Sequence, residues 1–166
     1  MRIGLISDTH SYLDPQVFNY FKECDEIWHA GDIGDISVLN DLKSFKPTKA
    51  IHGNIDDKEI QFECPENLRF EKEGLNIWMT HIGGYPPRYN KDVKPILRED
   101  PPDIFICGHS HVLRVMHDKQ FSKPVLYLNP GAAGKHGFHK VNTLLRFDIN
   151  KGKVENMQVI ELGKRA

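Results

Sequence analysis

The stretch "LISDTHSY", Leu5–Tyr12, ends a short apolar run on a carboxylate, Asp8, and an imidazole, His10, with only Thr9 between them. Asp and Ser are common where a strand gives way to a turn, because their side chains bond local backbone groups. An Asp-x-His pair alone therefore says little. Its meaning depends on how the other apolar runs end. "IWHAG" ends at Asp32, "AIHG" at Asn54, "NIWMT" at His81, and "IFICG" at His109 with His111 two residues on. Each position has an ordinary reading as a turn residue, a solvated loop or a buried histidine. All of them together, just past the carboxyl ends of successive predicted strands, point to a metal site, because ligands bind at that edge of open α/β sheets. Gly31, Gly53 and Gly108 stand beside three of these positions. Glycine permits the sharp turns and close backbone approach that such loops need.

Working outward, the first part of the chain alternates strand and helix signals. "RIGLIS", "EIWHAG" and "TKAIHG" read as strands. "PQVFNYFKE" reads as a helix with Pro15 in its first turn and Val17, Phe18 and Phe21 on one face. "DISVLNDLKSF" is a second helix, carrying Val38, Leu39, Leu42 and Phe45 at helical spacing, with Asp35 or Ser37 as N-cap. This βαβαβ order implies a parallel sheet. Downstream, "LRFEKEGLNIWMTH" reads as a hairpin turning near Glu73-Gly74, and "KDVKPILRE" as a short helix with Pro95 in its first turn. "PDIFICG", "VLRVMHD", "PVLYLN", "TLLRFDI" and "KVENMQVIEL" read as strands, the last two joined by a turn at Asn150-Lys151-Gly152. "YPPRY" and "DPPD" read as stiff loops. Neither a repeat nor a linker divides the sequence, so residues 1–166 are expected to form one domain.

Composition bounds the function. The net charge is −1, so no global basic field argues for nucleic acid beyond nucleotides or short oligonucleotides, and an anionic substrate must be held locally. Cys24, Cys64 and Cys107 are odd in number and unpaired in spacing, which argues against a disulfide framework and fits a reducing cytoplasm. No apolar segment approaches the length of a signal peptide core or a membrane span, so no membrane association is expected.

Seven candidate ligands are too many for one tetrahedral zinc. They suit two metals sharing a bridging carboxylate, ~3.5–4 Å apart, as in two-metal hydrolytic sites. Two divalent cations with two carboxylates, four neutral imidazoles and one amide leave an excess of about +2, which a hydroxide and a phosphodiester anion would neutralise. Mixed nitrogen and oxygen ligands fit Mn, Fe, Zn, Co or Ni.

"DTH", Gly31-Asp32, Gly53-Asn54, the isolated His81 and "GHSH" resemble, in order and spacing, the five motifs of the calcineurin-like metallophosphoesterases. The downstream "NPGA" resembles a loop of small bacterial and archaeal phosphodiesterases of that family. The resemblance implies a four-layer α/β/β/α sandwich with metals at one end. It assigns one metal to Asp8, His10 and His111, the other to Asn54, His81 and His109, and makes Asp32 the bridge. It further implies that a hydroxide held between the metals attacks phosphorus in a small phosphoester substrate. Two departures stand out. Many relatives place a histidine after the motif asparagine, where it can protonate the leaving oxygen. Ile55 stands there instead, with Asp56 the nearest titratable group. "THIGGY" has Gly83 where many relatives have a second histidine.

Other residues carry two readings each. His29 is either a partner of the Asp32 loop or a half-buried strand histidine. Arg88 is either a phosphate contact or a solvated rim charge. The Gly-rich "NPGAAGKHGFHK", with Lys135, His136, His139 and Lys140, is either an exposed loop or a wall of the substrate cleft. His52 and His117 read as strand residues, Asp56 and Asp57 as cap or turn, and Trp28 and Trp78 as core. Two rival functions share this pattern. One is a non-catalytic scaffold, since a subunit of the eukaryotic retromer complex shares the fold. The other is a small nuclease. A complete ligand set favours an enzyme.

Overall fold

A computed structural model describes residues 1–164. The chain begins as β1 (Arg2–Ile6), α1 (Gln16–Phe21), β2 (Glu26–His29), α2 (Ile36–Phe45), β3 (Thr48–Ala50) and α3 (Lys58–Glu63). It continues through β4 (Asn67–Lys72), β5 (Leu75–Thr80), β6 (Gly84–Tyr85), β7 (Arg88–Tyr89), α4 (Val93–Glu99) and β8 (Ile104–Ile106). Then come β9 (Arg114–Asp118), β10 (Val125–Asn129), β11 (Val141–Asn150) and β12 (Lys153–Lys164). One sheet has the order β12-β11-β1-β2-β3 and the other β4-β5-β8-β10-β9. Within them β1, β2 and β3 run parallel, as do β5, β8 and β10.

Side-chain alternation along the strands sets four layers. β1 turns Ile3 and Leu5 inward, where Trp28, Leu145 and Phe147 of the same sheet meet Ile77, Met79, Ile104, Ile106 and Leu128 of the other. The opposite face of the first sheet, through Ile6, Ile27 and Leu144, takes Val17 and Phe21 of α1 and Leu39 and Leu42 of α2. The opposite face of the second sheet, through Trp78, Phe105 and Tyr127, takes Val93 and Leu97 of α4. Each fully buried large apolar side chain contributes roughly 1.5–3 kcal/mol. The layers are thus helices, sheet, sheet, helix, the α/β/β/α sandwich expected from the motifs.

Local chemistry fixes the ends of the elements. Asp35 caps α2 by accepting from the Ser37 N–H at 2.8 Å, and Asp57 caps α3 through the Glu59 and Ile60 N–H groups. Pro95 is the third residue of α4, inside the first turn, where its missing N–H is not needed. Glu73-Gly74 and Lys151-Gly152 both take positive φ, which suits two-residue hairpin turns.

The structure departs from the sequence reading at four short segments. "YPPRY" is more than a loop: Tyr85 and Arg88 pair across Pro86-Pro87 in a two-stranded hairpin. The proline pair, lacking N–H donors, occupies the turn and leaves the pairing to its neighbours. α3 has no counterpart in the sequence reading, because it has six residues and buries only Ile60. α1 stops at Phe21, its last buried apolar residue, and leaves Lys22 and Glu23 outside the helix. β3 stops at Ala50, so His52 lies in the following loop, while His117 is in β9. Trp28 and Trp78 are core, and the three cysteines are buried and unpaired. No helix among the described residues is long and apolar enough to cross a membrane.

Candidate metal centre

The parallel strands deliver the candidate ligands to one end of the sandwich, where backbone hydrogen bonds lace their loops together. The Asp8 N–H donates to Gly31 O at 3.0 Å and the His10 N–H to Asp32 O at 3.0 Å. Asp8, fully buried, accepts from Ser7 Oγ at 2.6 Å and from the His109 N–H at 3.2 Å. The loop after β1 is thereby tied to the loops after β2 and β8. Of the nine non-glycine residues with positive φ among the described residues, five are candidate ligands: Asp8, His10, Asp32, His109 and His111. Such backbone costs ~1–3 kcal/mol per residue and persists only where the surroundings enforce it. Gly53 shows the crowding directly, because a Cβ there would collide with Asp32 Oδ1.

The side chains form two groups. Asp8, His10 and His111 offer donor atoms within 4.8 Å of one another, and so do Asp32, His81 and His109. His111 Nε2 is 3.1 Å from Asp8 Oδ1 and 3.4 Å from His10 Nε2. Asp32 stands between the groups. Its Oδ1 is 3.1 Å from His81 Nε2 and its Oδ2 3.6 Å from His10 Nε2. Asn54 is exposed and lines the cleft beside His81.

His81 tests whether these residues fit a cation. Its Nδ1 is 2.7 Å from Ala30 O, an acceptor only, so Nδ1 carries the proton and Nε2 presents a bare lone pair. That Nε2 is buried and has no hydrogen-bond partner, since the nearest carboxylate oxygen, Asp32 Oδ1, is itself an acceptor. An orphaned, buried lone pair beside a buried carboxylate is costly without a cation to receive it, and a divalent metal is such a cation.

The electrostatics show that the two carboxylates draw positive charge to this point. Burial works to lower the His81 pKa, but the Asp32 and Asp8 carboxylates outweigh it and the net shift is upward. Burial works to raise the Asp32 pKa, but His81, the Ile55 N–H and His10 hold it below its usual range. Burial lowers the pKa of both His10 and His109, with Asp32 and Asp8 opposing it, which favours the neutral form that binds metals.

Around these groups, His29 is fully buried, with Nε2 3.0 Å from Thr9 Oγ1 and Nδ1 accepting from the Gly31 N–H at 3.2 Å. It therefore braces the residues beside Asp8, His10 and Asp32. Asp56, nearly buried, accepts from the Gly34 and Gly53 N–H groups, both at 2.7 Å, and pins two site loops. Ile55 contributes its backbone N–H to Asp32 Oδ1 at 3.1 Å. A side chain at Gly83 would collide with Cys107 and Phe105, so no second histidine fits there. Arg88 lies exposed on the small hairpin.

The Gly-rich loop forms a wall beside the first group. The His136 ring centroid is 5.1 Å from that of His10, and His139 stands edge-on to His111 at 5.2 Å. His139 Nε2 is 2.9 Å from both Gly134 O and Asn142 Oδ1, so it carries the proton, while its buried Nδ1 is bare. Sequence reasoning missed the supporting roles of Ser7, of the Ala30 carbonyl on His81, and of Asn129, which donates to Gly108 O at 2.9 Å. No signal in the sequence distinguishes a backbone carbonyl that orients a ring.

Residues 1–152 match the family described as the calcineurin-like phosphoesterase superfamily domain. The chain belongs to that superfamily. All seven candidate ligands fall inside the matched segment. Among its relatives, a protein of Methanothermobacter thermautotrophicus named a probable metallophosphoesterase is 31% identical over 139 residues, covering 80% of this chain and 77% of the relative. The fold is also that of solved structures. An archaeal phosphodiesterase superposes with a TM-score of 0.77 at 21% identity, covering 98% of this chain and 100% of that one. Vps29 from Entamoeba histolytica superposes with a TM-score of 0.73 at 18% identity, covering 98% of this chain and 100% of that one.

Proposed function

We propose that this calcineurin-like phosphoesterase is a dinuclear, metal-dependent phosphodiesterase acting on small phosphoesters in the cytoplasm. The observation that carries the reading is the bare, buried Nε2 of His81 beside Asp32, with Asp32 Oδ2 turned toward the second group. In this reading Asp8, His10 and His111 hold one cation, Asn54, His81 and His109 the other, and Asp32 serves both. When bound, such a pair of Mn, Fe, Zn, Co or Ni ions supplies Lewis acidity and activates water near neutral pH.

The chain's own residues set the rest. Ser7 and the His109 N–H hold the Asp8 carboxylate in one orientation. Ala30 O fixes the His81 tautomer, and His29 braces the loop before Asp32. Two divalent cations held with two carboxylates would leave an excess of about +2, which suits an anionic phosphoester. Ile55 cannot donate a proton to the leaving oxygen, and both Asp56 oxygens already accept backbone N–H groups. The reading therefore favours esters with good leaving groups.

The test pairs metal analysis with turnover. Protein reconstituted with Mn²⁺ should hydrolyse an activated aryl phosphodiester, and His81→Ala should lose that activity while staying folded. Metal binding without turnover across several divalent ions would instead favour the scaffold, a reading supported by the Vps29 likeness in fold. Turnover confined to oligonucleotides would favour the nuclease.

A further inference from the structure

The two sides of the metal centre differ in charge. On one side the Gly-rich loop carries Lys135 and Lys140, with His136 against His10. On the other, a cleft of about 400 Å³ opens with Asn54 and His81 in its inner wall. Its apolar flank is Trp78, Ile82, Val93 and Ile96, of which Ile82 and Ile96 are 41% and 44% exposed. Glu66 and Asp92 also line it, both exposed, and no Lys or Arg is among its lining residues. Neither carboxylate is in an ion pair among the described residues.

We propose that this cleft receives the alcohol portion of the phosphoester and selects a small alcohol bearing an ammonium group. The proposal rests on the phosphoesterase reading above and names its substrate class. The phosphate is drawn to the metal groups, and the esterified alcohol extends along the wall beside Asn54 and His81. Methylene and N-methyl groups find apolar contact on Trp78, Ile82 and Ile96. The ammonium charge meets Glu66 and Asp92, which have no other cation to satisfy them. A carboxylated alcohol, or the next phosphate of a nucleic acid strand, meets two like charges instead. The apolar flank alone would accept any small alcohol, so the carboxylates decide the class.

Binding separates this proposal from the catalytic reading. Calorimetry on the Mn²⁺-saturated protein at low salt would compare three phosphomonoesters of similar size: O-phosphoethanolamine, ethyl phosphate and phosphoglycolate. The ammonium ester should bind about tenfold tighter than ethyl phosphate, and phosphoglycolate weakest. The advantage should shrink to about twofold in Glu66→Gln/Asp92→Asn, an isosteric change at exposed positions, and shrink with added salt. Equal affinity for the three esters, or an advantage that survives the double variant, would overturn the proposal. Competition by glycerophosphoethanolamine or by phosphatidylethanolamine vesicles assigns the source, soluble ester or lipid head group; competition by neither overturns it for diesters. Charge-selective binding with no diester turnover defeats the phosphodiesterase reading and leaves the cleft standing. Turnover without charge preference does the reverse.

Discussion

Acidification should weaken this fold through a residue that touches no candidate ligand side chain, His29. Burial drives its pKa from 6.5 to about 4, with Asp56 and Asp8 opposing the shift. Geometry explains the direction: Nδ1 accepts from the Gly31 N–H, so a proton added there would face a donor and break that bond. Because the folded pKa lies below the unfolded one, the unfolded chain takes up the proton first as pH falls. Stability from this residue is therefore full above the unfolded pKa and declines as pH drops toward the folded one. At ~1.36 kcal/mol per pH unit, the gap between 6.5 and about 4 corresponds to about 3 kcal/mol, of which about 2 kcal/mol is lost between about pH 7 and pH 4.5. His29→Gln removes the titration. It should lower stability at neutral pH but flatten the pH dependence by about that amount. The assay is urea denaturation of both proteins at the two pH values with a chelator present, since a bound metal would stabilise the native state by mass action. The other histidines are common to both proteins and cancel in the comparison. Parallel pH profiles for the two proteins would refute the reasoning.

Asp32→Ala should remove both ions from a protein that otherwise binds about two per chain, because its two oxygens face different groups; retention of one full equivalent, by metal analysis at saturation, would confine Asp32 to a single centre. His139→Leu should weaken one of the two ions about tenfold or more and spare the other, with partial recovery in His139→Asn, because the bare His139 Nδ1 lies beside the ligand candidate His111; equal loss of both ions would count against it. Ile55→His should raise turnover of esters with poor leaving groups more than of those with good ones, since general acid catalysis is worth ~10²–10⁴-fold; a flat leaving-group series in the unmodified protein would mean that another acid, such as His136, already acts.

The recurrence of Asp, Asn and His after apolar runs made the candidate ligand set readable from the chain alone, because the shared strand direction puts those positions at one end of the two sheets. The helix cap at Asp35 and the turns at Glu73-Gly74 and Lys151-Gly152 were equally local, decided by a few neighbouring atoms. The short elements were not. α3 buries one residue, and the Tyr85–Arg88 hairpin takes its place from pairing across two prolines, so neither has a periodic pattern to read. The role of the Gly-rich loop was open for a different reason. Its His136 and His139 come within ring contact of His10 and His111 from distant positions in the chain, and only packing of the two sheets sets that distance. The same holds for Ala30 O on His81, which selects the ring nitrogen left free for a cation. Residue types and their spacing along strands determined which donors this protein owns. The tertiary structure decided which lone pairs are bare, which donors share a group and which side of the centre is acidic, because those depend on distances between segments that no local sequence encodes.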